Sequence, residues 1–309
     1  MRVAAIQLEA AIGDVEANLR ACEALVAGAV AEGARLVGLP EFFTTGATFE
    51  PGLADAALPP EGAACEFLRT MAGEHGIHIG GSFLCRDPDG EVRNAYLLAG
   101  PGGGVLGRHN KDLPTMWENA FYVGGSDDDD GVIEAEDFTA GAAVCWEYMR
   151  SATARRLRGR VDVVVGGSNW WSVPLWPPRV ITRRMAAANA RNAARAPLLF
   201  ARLVGAPVVH GSICGEISCA LPEAPGLTYR GRFVGGALIA DSAGTPLAVR
   251  PASAGPGHVI AEIDPRRSAP LDPIPDRYWL YRRGPIPTLA WHTERIAGRR
   301  WYRRHVRGR

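Results

Sequence analysis

Short apolar runs alternate along this chain with longer amphipathic stretches, and that alternation sets its class. Residues 3–8 predict a strand. Residues 14–33 predict a helix that starts at Asp14, carries Leu19, Cys22, Leu25, Val26 and Val30 on one face, and stops at Gly33. A second strand over 36–39 runs into Pro40-Glu41, and a helix over 62–75 leads into a strand over 77–84. Residues 94–99 and 105–108 predict a hairpin around Gly100-Pro101-Gly102-Gly103-Gly104. That turn matches GxGxxG through Gly102, Gly104 and Gly107, but no helix follows it, so a dinucleotide-binding reading fails. Further strands are expected over 140–144, 161–165, 198–203, 233–240 and 258–263, with helices over 151–157 and from about 178 to 194. The sum is an α/β protein. No repeat or linker interrupts it. A single domain is expected over 1–265, with a proline- and arginine-rich extension over 266–309.

Composition narrows the class. With 309 residues, 47% of them hydrophobic, and a net charge of +1, the chain reads as an ordinary globular protein with a substantial core. No apolar run approaches the ~18 residues of a membrane span, and the first residues enter a strand without a signal-peptide pattern. A cytoplasmic protein is the expectation. Cysteines 22, 65, 85, 145, 214 and 219 show no CxxC spacing, so reduced, buried thiols are expected and structural zinc is not. The acidic run Asp127 to Asp130 reads as a solvated loop. From Arg277 onward, ten arginines face one acid, Glu294. Such a tail can grip nucleic acid. Its interleaved Tyr278, Trp279, Tyr281, Trp291, Trp301 and Tyr302 instead suit packing along a partner subunit, or a solvated extension, and nucleic acid is not the expected partner.

One residue stands out against this arginine-rich background. Of the 34 lysines and arginines only Lys111 is a lysine. An ammonium is a compact point charge that several acceptors can surround, whereas guanidinium is a planar fork. A pocket holding a small reacting oxygen between carboxylates calls for the former. Two other features fall, like Lys111, at the ends of predicted strands, where α/β folds place chemistry. Glu41 ends a strand between Pro40 and Phe42-Phe43, where burial would raise its pKa and suit general-base work. Cys145 ends the strand Gly141-Ala142-Ala143-Val144-Cys145 just before a helix. A lone cysteine is ordinarily a packing residue, but a nearby lysine and a helix start are what activate a thiol.

Leu39-Pro40-Glu41-Phe42, Lys111-Asp112-Leu113-Pro114 with Glu118, and Val144-Cys145-Trp146-Glu147 together resemble the Glu-Lys-Cys signature of the nitrilase superfamily of carbon–nitrogen hydrolases. The opening 3–7, the stretch 235–244 and the closing 258–264 resemble the family's first strand, late strand and turn, and last strand. The resemblance implies a four-layer α-β-β-α sandwich. It implies a nucleophile at Cys145, a general base at Glu41, an oxyanion-holding ammonium at Lys111 with the Trp146 N–H, and an orienting second glutamate at Glu118. No metal or organic cofactor is implied, and the substrate would be a small amide, carbamoyl compound or nitrile. A homodimer or higher homo-oligomer is implied as well. Trp170 and Trp171, with Trp176, stand where family members line the acyl pocket, although core packing explains them equally well.

There are departures. Nitrile-cleaving members typically follow Cys-Trp-Glu with a proline and leucine, where this chain has Tyr148-Met149-Arg150-Ser151-Ala152; Arg191-Asn192 lacks the acid many members carry before that asparagine. Hydrolysis of a non-peptide amide or carbamoyl bond is therefore the first expectation. Nitrile hydrolysis comes second and a soluble acyltransferase third. A catalytically dead binding protein is opposed by the intact residue set. Serine hydrolysis is opposed by the lack of GxSxG.

Overall fold

The first strand, β1 (Arg2–Glu9), buries both of its faces. Ala4, Ile6 and Leu8 enter one apolar cluster, and Val3 and Ala5 enter another. The same division runs through the molecule, which is a computed structural model describing residues 1–126, 128–173, 178–220, 226, 228–281 and 285–308. The elements that follow are α1 (Val15–Ala31), β2 (Leu36–Glu41), α2 (Ala63–His75), β3 (His78–Arg86), β4 (Val92–Ala99) and β5 (Val105–Asn110). Next come β6 (Val132–Glu134), β7 (Thr139–Val144), α3 (Ser151–Leu157), β8 (Val163–Ser168), α4 (Arg179–Val204) and β9 (Val208–Cys214). The chain closes with β10 (Glu216–Ala220), β11 (Thr228–Arg232), β12 (Gly235–Ala240), β13 (Pro246–Pro251), β14 (Gly257–Glu262) and α5 (Pro285–His305).

The sheet order is β5-β4-β3-β2-β1-β9-β8-β7-β6, with β14 antiparallel on β1, β12 antiparallel on β9, and β13 on β12. The sheet turns on itself at β1, whose residues 3–5 pair with β2 while its residues 7–9 pair with β9. Three clusters then mark four layers. One lies between α1, α2 and the β1–β3 side; one lies between the two halves of the sheet; one lies between α3, α4 and the β7–β9 side. This is the expected α-β-β-α sandwich. Strands covered on both faces read as nearly unbroken apolar runs, such as Val163-Val164-Val165.

Where the two halves face each other, glycines set the spacing. A Cβ on Gly211 would lie 2.6 Å from the Leu39 carbonyl carbon, and one on Gly167 would lie 2.7 Å from the Pro40 Cα. These two residues let the end of β2, and with it Glu41, press directly on β8 and β9.

Three expectations need correction. Residues 198–203 are the last turns of α4, not a strand. Ala196, Phe200, Leu203 and Val204 are buried at helical spacing against β7–β9, and the true strand is β9. The helix absorbs Pro197 inside it, at the loss of one main-chain hydrogen bond. The acidic run is not simply a solvated loop. Asp129 pairs with the His109 ring at 2.8 Å and accepts from the Asn110 N–H, and Asp130 pairs with Arg160 at 2.6 Å; Asp127 lies outside the described residues.

The third correction concerns the tail, which covers its own chain. The Leu280 N–H donates to the Met149 carbonyl at 2.7 Å, and Trp279 meets Trp146 edge to face. Helix α5, which falls within the expected proline- and arginine-rich extension, lies on the 3-10 turn Met116–Ala120, with Gly298 against Asn119. Tyr302 is buried, donates to Glu91 at 2.7 Å and accepts from the Val92 N–H at 2.8 Å.

The glycine spacing makes a direct prediction. Gly211→Ala should destabilise the protein by about 1–3 kcal/mol, the usual range for an overpacked interior. Urea melts of the variant and the parent check this, and equal midpoints would mean that β2 is free to move away.

Candidate active site

Glu41, Lys111, Glu118 and Cys145 come from four separate places in the chain and meet at one end of the sandwich. Glu41 is the last residue of β2, Lys111 follows β5, Glu118 lies in the 3-10 turn Met116–Ala120, and Cys145 follows β7. The Lys111 ammonium donates to Glu41 Oε1 at 2.8 Å and to Glu118 Oε2 at 2.7 Å. Its backbone N–H donates to the Asn94 carbonyl at 2.9 Å, and the Asn94 side-chain amide donates to Glu41 Oε1 at 2.9 Å. Glu41 Oε2 accepts from the Asn169 N–H at 2.9 Å. Three donors thus fix Glu41, and its remaining acceptor capacity faces the Cys145 thiol.

Glu118 is held by its own turn. Thr115 and Glu118 form a capping box in which Glu118 Oε2 accepts from the Thr115 N–H at 3.0 Å, and the Tyr122 hydroxyl donates to the same oxygen. The Tyr122 ring sits 5.7 Å from the ammonium.

Backbone strain concentrates here. Among the described residues the non-glycine positions with left-handed φ are Phe42 at 54°, Met116 at 49° and Cys145 at 53°. Each adjoins or belongs to the cluster, and such strain persists only where surrounding structure enforces it. At Cys145 the conformation makes a sharp turn from β7 into the 3-10 helix Cys145–Met149, whose first N–H groups have no partner within the helix. Trp146 occupies that first turn.

Burial controls the electrostatics. It pushes the Glu41 carboxyl above the usual glutamate range, against the opposing pull of Lys111. It also disfavours the Lys111 charge, but Glu118 and Glu41 outweigh it and hold the ammonium protonated. Burial and the charge of Glu41 raise the Cys145 thiol well above its ordinary value, and Lys111 does not reverse this. Proximity to a lysine therefore leaves the resting thiol neutral rather than ionised.

A second network lies behind the first. Glu147, fully buried, accepts from the Val144 N–H at 2.7 Å and from the Asp112 N–H at 2.9 Å, so one carboxylate ties the residue before Cys145 to the residue after Lys111. His109 Nε2 meets both Glu147 oxygens at 3.1 Å, and Arg150 and Arg156 pair with Asp112. His109, Asp112 and Glu147 are close enough together to hold a metal ion. Arginine and main-chain donors already occupy their oxygens, so this donor set suits a clamp and not a cation.

The sequence reading missed Asn94, Asn169, Tyr122 and the His109–Glu147 pair, none of which carries a motif of its own. The Glu147 within Cys-Trp-Glu was the one available signal. Trp170 packs beneath α4 and donates to Asn189 at 3.0 Å, and Trp171 lies against Phe49 at 4.4 Å and Tyr229 at 5.4 Å. Trp176 lies outside the described residues. All six cysteines are free and buried, and among them only Cys145 adjoins the glutamate–lysine cluster.

The fold and this cluster define a class, and comparison with known proteins agrees. A family profile described as carbon-nitrogen hydrolase matches residues 2–271. The chain belongs to that family. A nitrilase of Pyrococcus abyssi is 29% identical over 174 residues, 55% of this chain and 65% of the relative. Omega-amidase YafV of Yersinia enterocolitica is 31% identical over 158 residues, 51% of this chain and 58% of the relative. The chain thus spans about half to two thirds of the length of these curated relatives. Among solved structures, a carbon-nitrogen hydrolase from Helicobacter pylori G27 superimposes with a TM-score of 0.69 at 17% identity, covering 86% of this chain and 90% of that one. The amidase from Nesterenkonia sp. AN1, in a form with acrylamide added at its active site cysteine, gives 0.63 at 21% identity, covering 85% and 92%.

The clamp titrates in a defined direction. Burial opposes a charged His109, but Glu147 and Asp129 outweigh it and raise the ring to about 10. A raised folded-state pKa stabilises fully below the unfolded value of ~6.5, and the contribution is lost as pH rises through about 10. Urea melts at several pH values should therefore show wild type well above His109→Gln near pH ~6.5, with the gap closing toward about 10. A gap that widens with pH would mean the ring is neutral in the folded protein.

Proposed function

We propose that this protein hydrolyses a non-peptide carbon–nitrogen bond, in an amide or carbamoyl compound, through a cysteine thioester. The observation that carries the reading is the single ammonium pinned between Glu41 and Glu118 beside a neutral thiol at a strained turn. Because the thiol is neutral, its proton must leave during attack. Glu41 takes it as sulfur bonds to the carbonyl carbon. The carbonyl oxygen gains the negative charge, and the Lys111 ammonium and the Trp146 N–H receive it. Glu41 returns the proton to the departing nitrogen, the C–N bond breaks, and ammonia or an amine leaves. Glu41 then deprotonates water, which attacks the thioester; the second tetrahedral intermediate expels the sulfur, which recovers its proton. Glu118 takes no part in bond making and holds the ammonium in place.

No step calls for a metal or organic cofactor. The capacity of Trp170 and Trp171 to shape the acyl pocket belongs to this reading as well. A homo-oligomer is also part of it, supported by apolar side chains left uncovered on helices: Val180 and Ile181 at the start of α4, and Leu289 and Ile296 on α5. Among the described residues no helix is long and apolar enough to cross a membrane.

Ammonia release from a panel of amides, carbamoyl compounds and nitriles tests the reading, with an added amine to detect acyl transfer. Turnover confined to nitriles, or an acyl product in place of the acid, would displace it. Cys145→Ala should abolish turnover. Lys111→Arg should lower it by about 10²–10³ while the fold is kept, because the planar fork cannot fit between two carboxylates. Near-normal turnover in a folded Lys111→Arg protein would remove the oxyanion role. Glu41 acts only when ionised and its carboxyl is raised, so the acid limb of kcat/KM should lie above ~4.3, the ordinary glutamate value. A limb at or below that value would assign the base elsewhere.

A further inference from the structure

The C-terminal helix carries a row of cations that the reaction does not use. Arg295, Arg299, Arg303 and Arg307 recur every four residues along and just beyond α5. Like charges at this spacing repel and weaken a helix. Two of the four are accommodated. Arg295 lies over the Trp291 ring at 5.9 Å, and Arg307 pairs with Glu91 at 2.8 Å. Among the described residues neither Arg299 nor Arg303 has a carboxylate within ion-pair distance. Both border a cleft of about 170 Å³ between α5 and the body, with Glu91, Pro114, Asn119, Tyr122 and Gly124 among its other walls. The Glu91 carboxylate is already taken by Arg307 and by the Tyr302 hydroxyl, so it does not neutralise the pair. Arg299 is largely exposed, yet partial desolvation and the charges of Arg295 and Arg303 still make it easier to deprotonate than a free arginine.

We propose that this cleft is a binding site for a small phosphoryl dianion, held by Arg299 and Arg303. The charge fits, because these two guanidinium groups, both open to solvent and without a carboxylate partner among the described residues, together match a dianion. The geometry fits, because arginine forks pair bidentately with phosphate oxygens. The size fits too, since a cleft of about 170 Å³ is many times the ~10–15 Å³ that a single water needs. Orthophosphate and the phosphoryl end of a small monoester share this chemistry.

The location gives the site a consequence. Its floor is the loop from Pro114 to Gly124, which carries Glu118, and Tyr122 both borders the cleft and donates to the Glu118 carboxylate. Gly298 of α5 presses on Asn119 in the same loop. An anion that neutralises the arginine row relieves the repulsion within α5 and so stabilises the packing that this helix already makes on the turn holding the second glutamate.

Calorimetric titration of the full chain with sodium orthophosphate and with phenyl phosphate, at ionic strength fixed with sodium chloride, tests this. One saturable equivalent per chain is expected, with a higher melting temperature when bound. The double variant Arg299→Ala/Arg303→Ala should bind at least about tenfold more weakly, roughly 1.4 kcal/mol. Arg20→Ala, remote on α1, should bind as wild type does. If the alanine pair fails to fold, Arg299→Lys/Arg303→Lys keeps the charge and loses the fork, and should still weaken binding several-fold. Tighter binding of phenyl phosphate than of orthophosphate would identify the ligand as a monoester, and the reverse as free phosphate. Absence of saturable binding, undiminished binding in the double variants, or a melting shift that sodium chloride reproduces would overturn the proposal. So would a single-stranded oligonucleotide that binds through these arginines when orthophosphate does not.

Discussion

A fully buried ammonium is the constraint to which the rest of this structure answers. Removing a charge from water costs several kcal/mol unless partners surround it. Lys111 therefore forces Glu41 and Glu118 to arrive at the same point, and their arrival dictates much else. β2 must end against β8 and β9, which Gly167 and Gly211 permit. The 3-10 turn must present Glu118, which the Thr115 capping box and the weight of α5 secure. Nearly every cation in the chain is arginine, yet the position demands a charge that two carboxylates can approach at 2.7 and 2.8 Å from different sides.

The two buried networks divide the work. The inner one sets charge: a protonated lysine, a carboxyl raised by burial, and a neutral thiol. The outer one sets position. Glu147 has its own carboxyl drawn well below the usual range by His109 and Arg156, despite burial, and spends its oxygens on the main chain beside Cys145 and Lys111. A group that stays ionised at all working pH values is poorly suited to proton transfer and well suited to holding geometry.

The sequence made the Glu41, Lys111 and Cys145 cluster more legible than the scaffold that holds it. Glu41, Lys111 and Cys145 could be read because each ends a strand and each belongs to a local motif. Asn94 and Asn169 could not, because their roles arise from strands that meet only in three dimensions. Residues 198–203 misled because the buried stripe of α4 is dense enough to imitate a short strand, and Pro197 suggested a break that tertiary packing overrides. Asp129 was taken for a solvated charge because its partner His109 lies across a turn. Gly211 sits in a run of small and apolar residues, and nothing local shows that the backbone of β2 lies against it.

The strand β1 is the hinge on which the sheet doubles, and its pairing has a consequence for how the molecule is made. Its neighbour β14 is joined to it across 260 residues, as in the pairing of Arg2 with Glu262. During synthesis β1 leaves the ribosome long before that partner exists. An apolar strand with a bare main-chain edge invites pairing with any other chain. In the completed protein β2, β9 and β14 pair with β1, but the growing chain leaves that edge bare until β14 emerges. Assembly so dependent on distant pairings is slow and exposes aggregation-prone edges. The architecture that brings the end of β2 and the 3-10 turn to one ammonium thus completes its central strand pairing only after nearly the whole chain has emerged.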